Sequence, residues 1–235
     1  MKKIVALLIG VLLLQTGIAQ KEVVIKKKDR KKDVLLQTNM GDMLIRLSDA
    51  TPLHRDNFLK LVKQKYYDSI LFHRVINNFM IQAGDPDSKN AAAGKPLGEG
   101  GPGYTVPAEF NTGLFHKKGV VAAARQGDAM NPQKASNGSQ FYITQGKKFT
   151  DGGLDSLETF RLRGRKIPAD QREVYKTLGG TPHLDQAYTV FGEVISGLDV
   201  LDKIAAVRTS SAADIDRPLE NIVIVKAKLV KRKKR

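Results

Sequence analysis

A single arginine set among apolar strand residues is the most chemically suggestive feature of this chain. In Phe72-His73-Arg74-Val75-Ile76-Asn77-Asn78-Phe79-Met80-Ile81-Gln82-Ala83-Gly84-Asp85, Arg74 precedes a turn-forming Asn pair, and a Phe, a Met and a Gln return beyond it. A guanidinium is a planar fork of donors that stays charged at any working pH. Held against apolar side chains, it can serve an acceptor that develops in a dry site without any tuned pKa. Other chemistries are poorly served. His54, His73, His116 and His183 show no i,i+4 or paired-ligand spacing and there is no cysteine, so no metal or other cofactor is expected. The Gly-rich run 98–103 precedes a strand and lacks a following Lys-Ser/Thr pair, so it reads as a flexible turn and not a phosphate loop. Ser139 has no evident general base near it in sequence, which leaves a nucleophilic hydrolase without support.

The arginine segment resembles the signature hairpin of the cyclophilins, the peptidyl-prolyl cis/trans isomerases. Gly138-Ser139-Gln140-Phe141-Tyr142-Ile143 and His183-Leu184-Asp185, running on to Val190-Phe191-Gly192-Glu193-Val194, extend the likeness in order over more than a hundred residues. The resemblance implies an isomerase acting on X-Pro segments, with Arg74 as the catalytic residue. It implies a proline pocket of Phe79, Met80, Tyr142 and Leu184, with Gln82 and Gln140 hydrogen-bonding the peptide. Ala124, Arg125 and Gln126 match the strand that receives the substrate backbone. The alternative for the apolar members is plain barrel core. Active family geometry groups Arg74, Met80, Gln82 and Phe72 on one face. A three-residue connection, Ile76-Asn77-Asn78, would achieve this by pairing Arg74 with Met80 and Phe72 with Gln82. Some positions depart from the best-known eukaryotic pattern. His183 stands for a Trp that contacts cyclosporin, which implies weak cyclosporin binding with turnover retained. Tyr188 stands for His, Arg125 for Asn and Tyr142 for Phe. A rival reading is a peptide-binding chaperone in which turnover is incidental.

The elements that must position these residues are short. Asp33–Thr38 and Met43–Leu47 read as a hairpin around Asn39-Met40-Gly41-Asp42. Thr51-Pro52 opens a helix with Thr51 as N-cap, and Phe58, Leu61 and Val62 recur at helical spacing. Residues 104–106, 119–122, 141–144 and 188–191 are further strands, 197–204 a second short helix, and 221–230 a last strand. Many short strands with two end helices predict a mostly β fold, a closed antiparallel eight-stranded cyclophilin-like barrel. Residues 146–181 break that texture with two helical stretches, 154–160 and 168–178. This insertion reads either as a lid or specificity element or as a decoration on the barrel exterior.

The 235 residues, 41% hydrophobic, suit one well-buried domain with extensions. Lys2-Lys3, the apolar run Ile4–Leu14 and Gly17-Ile18-Ala19 read as a signal peptide over 1–19, which predicts an exported, periplasmic protein. With no cysteine, lipid attachment through a cysteine is excluded. The net charge of +15 lies mostly in a basic linker, 20–32, at +5 and in the stretch 226–235 at +7, while 33–225 carries only +1. The isomerase domain is placed at 33–230 with a basic tail at 231–235. The basic blocks are expected to be solvated, or to give a weak hold on an anionic membrane surface. No nucleic-acid motif accompanies them, and a monomer is expected.

Overall fold

A computed structural model describes residues 23–92, 94–211 and 216–232; the expected signal peptide lies outside these. Ten strands run in chain order as β1 (Lys32–Thr38), β2 (Gly41–Leu47), β3 (Ile70–Ile76), β4 (Met80–Ala83), β5 (Thr105–Val106), β6 (Val120–Ala123), β7 (Ser136–Asn137), β8 (Phe141–Thr144), β9 (Val190–Ser196) and β10 (Val223–Lys231). Four helices join them: α1 (Pro52–Lys63), α2 (Asp151–Phe160), α3 (Ala169–Thr177) and α4 (Leu198–Ala205). Eight strands close an antiparallel barrel in the order β1-β10-β3-β4-β8-β6-β9-β2, and β5 pairs with β7 outside it.

Period-two alternation explains both sides of the wall. Ile81 and Ala83 of β4, Phe141 and Ile143 of β8, and Val121 and Ala123 of β6 point into the main core with the rings of Phe58, Tyr67 and Phe191. Their neighbours Met80, Tyr142, Val120 and Ala122 are buried too, but in a second apolar cluster outside the barrel. These strands are therefore covered on both faces. The second cover is where Phe79, Leu184 and Tyr188 pack.

Helices α1 and α4 are the two expected capping helices. Thr51 occupies the α1 N-cap position, yet its hydroxyl makes no capping bond and is buried without a partner. The cap comes instead from Glu109, whose carboxylate accepts from Leu53 N and His54 N at 3.1 and 2.9 Å. A carboxylate is a stronger acceptor than a hydroxyl and favours the positive end of a helix.

The basic segment before β1 is seated on the barrel, which differs from a free linker. Buried Asp29 accepts from Lys63 Nζ at 2.9 Å, Arg30 pairs with Asp56 at 2.6 Å, and Ile25 packs on the core. Likewise the first part of the basic stretch after 225 belongs to β10, where Lys226 and Lys228 lie opposite Gln37 and Leu35 of β1.

Candidate active site

Arg74, Met80 and Gln82 reach one hollow because the β3–β4 hairpin sets their register. The connection has three residues, as expected, but they are Asn77-Asn78-Phe79: Ile76 pairs with Met80 and Arg74 with Gln82. The expected pairs Arg74–Met80 and Phe72–Gln82 are therefore not formed: the loop sits one residue later, so Arg74 pairs two residues further along β4 and keeps its face. Asn78 takes the left-handed backbone the loop needs, at φ 60°, and Phe79 leaves the ladder to stand at the lip. A bulge between Phe72 and Arg74 pairs Phe72 with Ala83 and turns it into the core, so three of the four expected side chains share a face.

The hollow has a volume of about 300 Å³, and Arg74, Phe79, Met80, Tyr142, Leu184 and Tyr188 are among its walls. The Phe79 and His183 rings stack at 5.6 Å and 19°, and the Tyr142 and Tyr188 rings meet edge-on at 5.8 Å. A second hollow of about 450 Å³ adjoins it; Gln126 and Gln140 line it, and Gln82, Ala124 and Arg125 border both. The sequence-expected residues thus converge on one continuous groove, except His183, which lines neither hollow and stands behind Phe79, stacked on its ring.

Their individual bonding refines the expectations. Gln82 Nε2 donates to Gln140 Oε1 at 2.9 Å, and Gln140 Nε2 donates to the carbonyls of Gly98 and Gly100 at 2.7 Å. Gln140 is buried and clamps the loop carrying Leu97, Gly98 and Glu99 against the hollow. The Gly-rich run is thus tied down, in contrast to the flexible turn expected; Asp85 accepts from Gly98 N at 2.5 Å from the other side. Ala124 to Gln126 lie just past β6. Ala124 N donates to Gln140 O and its carbonyl accepts from Asn137 N, so its backbone is already engaged. Arg125 lies across the Tyr188 ring at 4.6 Å, donates to Ala187 O at 2.8 Å and pairs with Asp128 at 2.7 Å. It buttresses Tyr188.

Three site residues escaped the sequence reading. Asp216 accepts from Arg74 Nε at 3.3 Å, and its carbonyl accepts from Val75 N. Nothing in sequence flags a partner 142 positions away. His73 lines the hollow, is 4% exposed and has no partner for either ring nitrogen. Burial pushes its pKa down to about 4, so the ring is neutral near pH 7. Its position inside the signature segment was the available signal. His116 is the third. Its Nδ1 lies 2.9 Å from Asp185 and its Nε2 2.9 Å from the Tyr142 hydroxyl. Asp185 can only accept, so Nδ1 carries the proton and Tyr142 donates to Nε2. The hydroxyl that distinguishes Tyr142 from Phe is thus directed at His116 and not at a ligand. His183 is also held neutral at pH 7, at about 4, chiefly by burial and then by the charge of Arg161.

No group of three or more His, Cys, Asp or Glu side chains among the described residues is arranged to hold a metal ion. What the groove offers is the Arg74 donor fork beside a hollow walled in part by Phe79, Met80 and Leu184.

That geometry defines a class, and comparison with known proteins agrees. Residues 34–229 match the family model of the cyclophilin type peptidyl-prolyl cis-trans isomerases, and the chain belongs to that family. A Staphylococcus epidermidis protein carrying a peptidyl-prolyl cis-trans isomerase name is 35% identical over 198 residues, 84% of this chain and 91% of its own length. A Staphylococcus aureus counterpart is 36% identical over 81% of this chain and 88% of its own. A Streptococcus pyogenes protein named for a bifunctional phosphatase and isomerase is 36% identical over 81% of this chain, which spans 37% of that longer protein. Among solved structures, a Cryptosporidium parvum cyclophilin type isomerase superposes with a TM-score of 0.60 at 23% identity, covering 86% of this chain and 99% of that one. The last likeness concerns the fold.

Proposed function

We propose that this chain accelerates X-Pro isomerisation in exported proteins, with Arg74 stabilising the twisted imide. The barrier, about 20 kcal/mol, comes from amide resonance, and the uncatalysed step takes tens to hundreds of seconds. No bond breaks. A catalyst holds the proline ring while the preceding carbonyl turns, and must favour the twisted state over both planar ones. In that state the prolyl nitrogen regains a lone pair and accepts a hydrogen bond. Phe79, Met80, Tyr142 and Leu184 would seat the ring, and the terminal nitrogens of Arg74, left over from the Nε contact with Asp216, would supply the donor.

The observation that carries this reading is that Arg74 and the apolar hollow form one site. A proline-switch assay on the wild type and Arg74→Ala tests it. The variant is expected to lose about 10²- to 10³-fold in kcat/KM, the scale for removing one preorganised donor. Catalysis that survives nearly intact overturns the role of Arg74. Aggregation suppression that persists in an inactive variant would support the chaperone reading.

Export is proposed from Lys2-Lys3, the apolar run Ile4–Leu14 and the small residues before Gln20. A weak hold on anionic membrane surfaces is proposed from the basic residues of both chain ends.

A further inference from the structure

Residues 146–181 do not roof the hollow, since none of them lines it. They pack beside it as a unit with its own apolar centre, where Leu154, Ile167 and Tyr175 meet Phe115 and Phe149. Two hydrogen bonds fasten the unit to the residue that follows the pocket-wall residue Leu184. Tyr175 Oη donates to Asp185 Oδ2 at 2.6 Å, and Arg165 donates to Asp185 O at 3.2 Å. The turn between α2 and α3 is thereby held against the Phe79–His183 side of the groove.

The charge of this unit is unevenly used. It contains eight Lys/Arg against five Asp/Glu. Asp151, Asp155, Glu158 and Glu173 are all bound by Lys166, Arg172 or Lys176. Asp170 lies in the first turn of α3, after the turn that carries Arg161 and Arg163. Arg161 and Arg163 are exposed, and neither has an ion pair among the described residues. Arg161 is close enough to His183 to help suppress its protonation. The other cations of the groove are already matched, Arg74 by Asp216 and Arg125 by Asp128, and the one acid lining the hollow, Glu99, sits on the opposite loop.

Taking the isomerase reading as given, we propose that the insertion is a specificity rim, in which Arg161 and Arg163 favour X-Pro segments that carry acidic side chains close to the proline. Unpaired guanidinium groups within a Debye length of a bound peptide attract carboxylates at little cost, because they surrender no existing partner.

The test uses the full chain and six proline peptides: Glu, Gln or Lys two positions before the proline, and Glu, Gln or Lys two positions after it. At low salt at least one Glu peptide is expected to exceed its Gln counterpart in kcat/KM by about three- to tenfold, and the Lys peptide to fall below it. The preference should collapse near 1 M salt and reverse in the Arg161→Glu/Arg163→Glu double variant. Each comparison is a ratio within one enzyme preparation, so partial misfolding of a variant does not imitate it. A Glu-to-Gln ratio near one at both positions overturns the proposal, as does a ratio that the double variant leaves unchanged. Dissociation constants from fluorescence titration give the same ratios without turnover, so the rim and the isomerase reading fail separately.

Discussion

At the scale of single residues, the groove sets the Arg74 guanidinium beside two imidazoles kept neutral. A guanidinium keeps its charge throughout the working range, while burial holds His73 and His183 at about 4. Catalysis should therefore vary little with pH above about 6, whereas stability should not. His73 binds its proton near pH 4 when folded and near 6.5 when unfolded, so between those values the unfolded chain holds more protons. Its contribution to stability is fully present above 6.5 and is lost as the pH falls toward 4. Between pH 7 and pH 5 the loss from this one ring is about 2 kcal/mol. Urea unfolding at both pH values, on wild type and His73→Gln, measures it. The variant should lose correspondingly less on acidification, and an equal loss in both proteins would exonerate His73.

At the scale of elements, the insertion and the pocket floor are one hydrogen-bonded series: Tyr175 to Asp185, Asp185 to His116, His116 to Tyr142, each link 2.6 to 2.9 Å. All four residues are buried, and burial raises the pKa of both tyrosines, so they remain donors. Tyr175→Phe keeps the ring and removes one donor from a buried carboxylate. It should cost about 1–3 kcal/mol in denaturant unfolding and speed hydrogen exchange in α2 and α3 ahead of β4 and β8. A change within error would mean that Asp185 does not depend on the insertion. The sequence showed what is periodic here. Phe141–Thr144 alternates core and pocket, Phe58, Leu61 and Val62 recur on the buried side of α1, and Gly179-Gly180 ends α3. What it hid is set by distant partners. Gly180 is required because a side chain would strike the His116 carbonyl, and Glu109 rather than Thr51 caps α1. The hairpin loop sits one residue later than expected, and Arg74 pairs two residues further along, because Asn78 can take its left-handed backbone in either three-residue loop. Only the neighbouring strands fix the bulge before Arg74.

At the scale of the molecule, the barrel order sets the proposed membrane contact apart from the groove. In an eight-membered ring β1 stands four places from β8, so the β1–β10 seam is across the barrel from the strand that carries Tyr142. That seam gathers the basic residues of both chain ends. Lys32 lies opposite Lys231, Arg232 reaches the Arg30 carbonyl at 3.2 Å, and Lys27, Lys28, Lys31, Lys226 and Lys228 are exposed with no ion pair among the described residues. A surface held by this edge would leave the groove facing away from it, open to clients. The exported form, whose N-terminus intact-mass measurement should place at Gln20, is expected to sediment with vesicles containing about 30% anionic lipid at low salt and not with neutral ones. Each lysine near such a surface contributes roughly 1 kcal/mol, so Lys226→Glu/Lys228→Glu should weaken binding by tenfold or more. About 0.5 M salt should abolish it in the wild type, because screening shortens the reach of each charge to a few ångströms. Binding that resists both salt and the paired substitution would place the contact on apolar groups instead, and the basic seam would then be a solvated flank of the barrel.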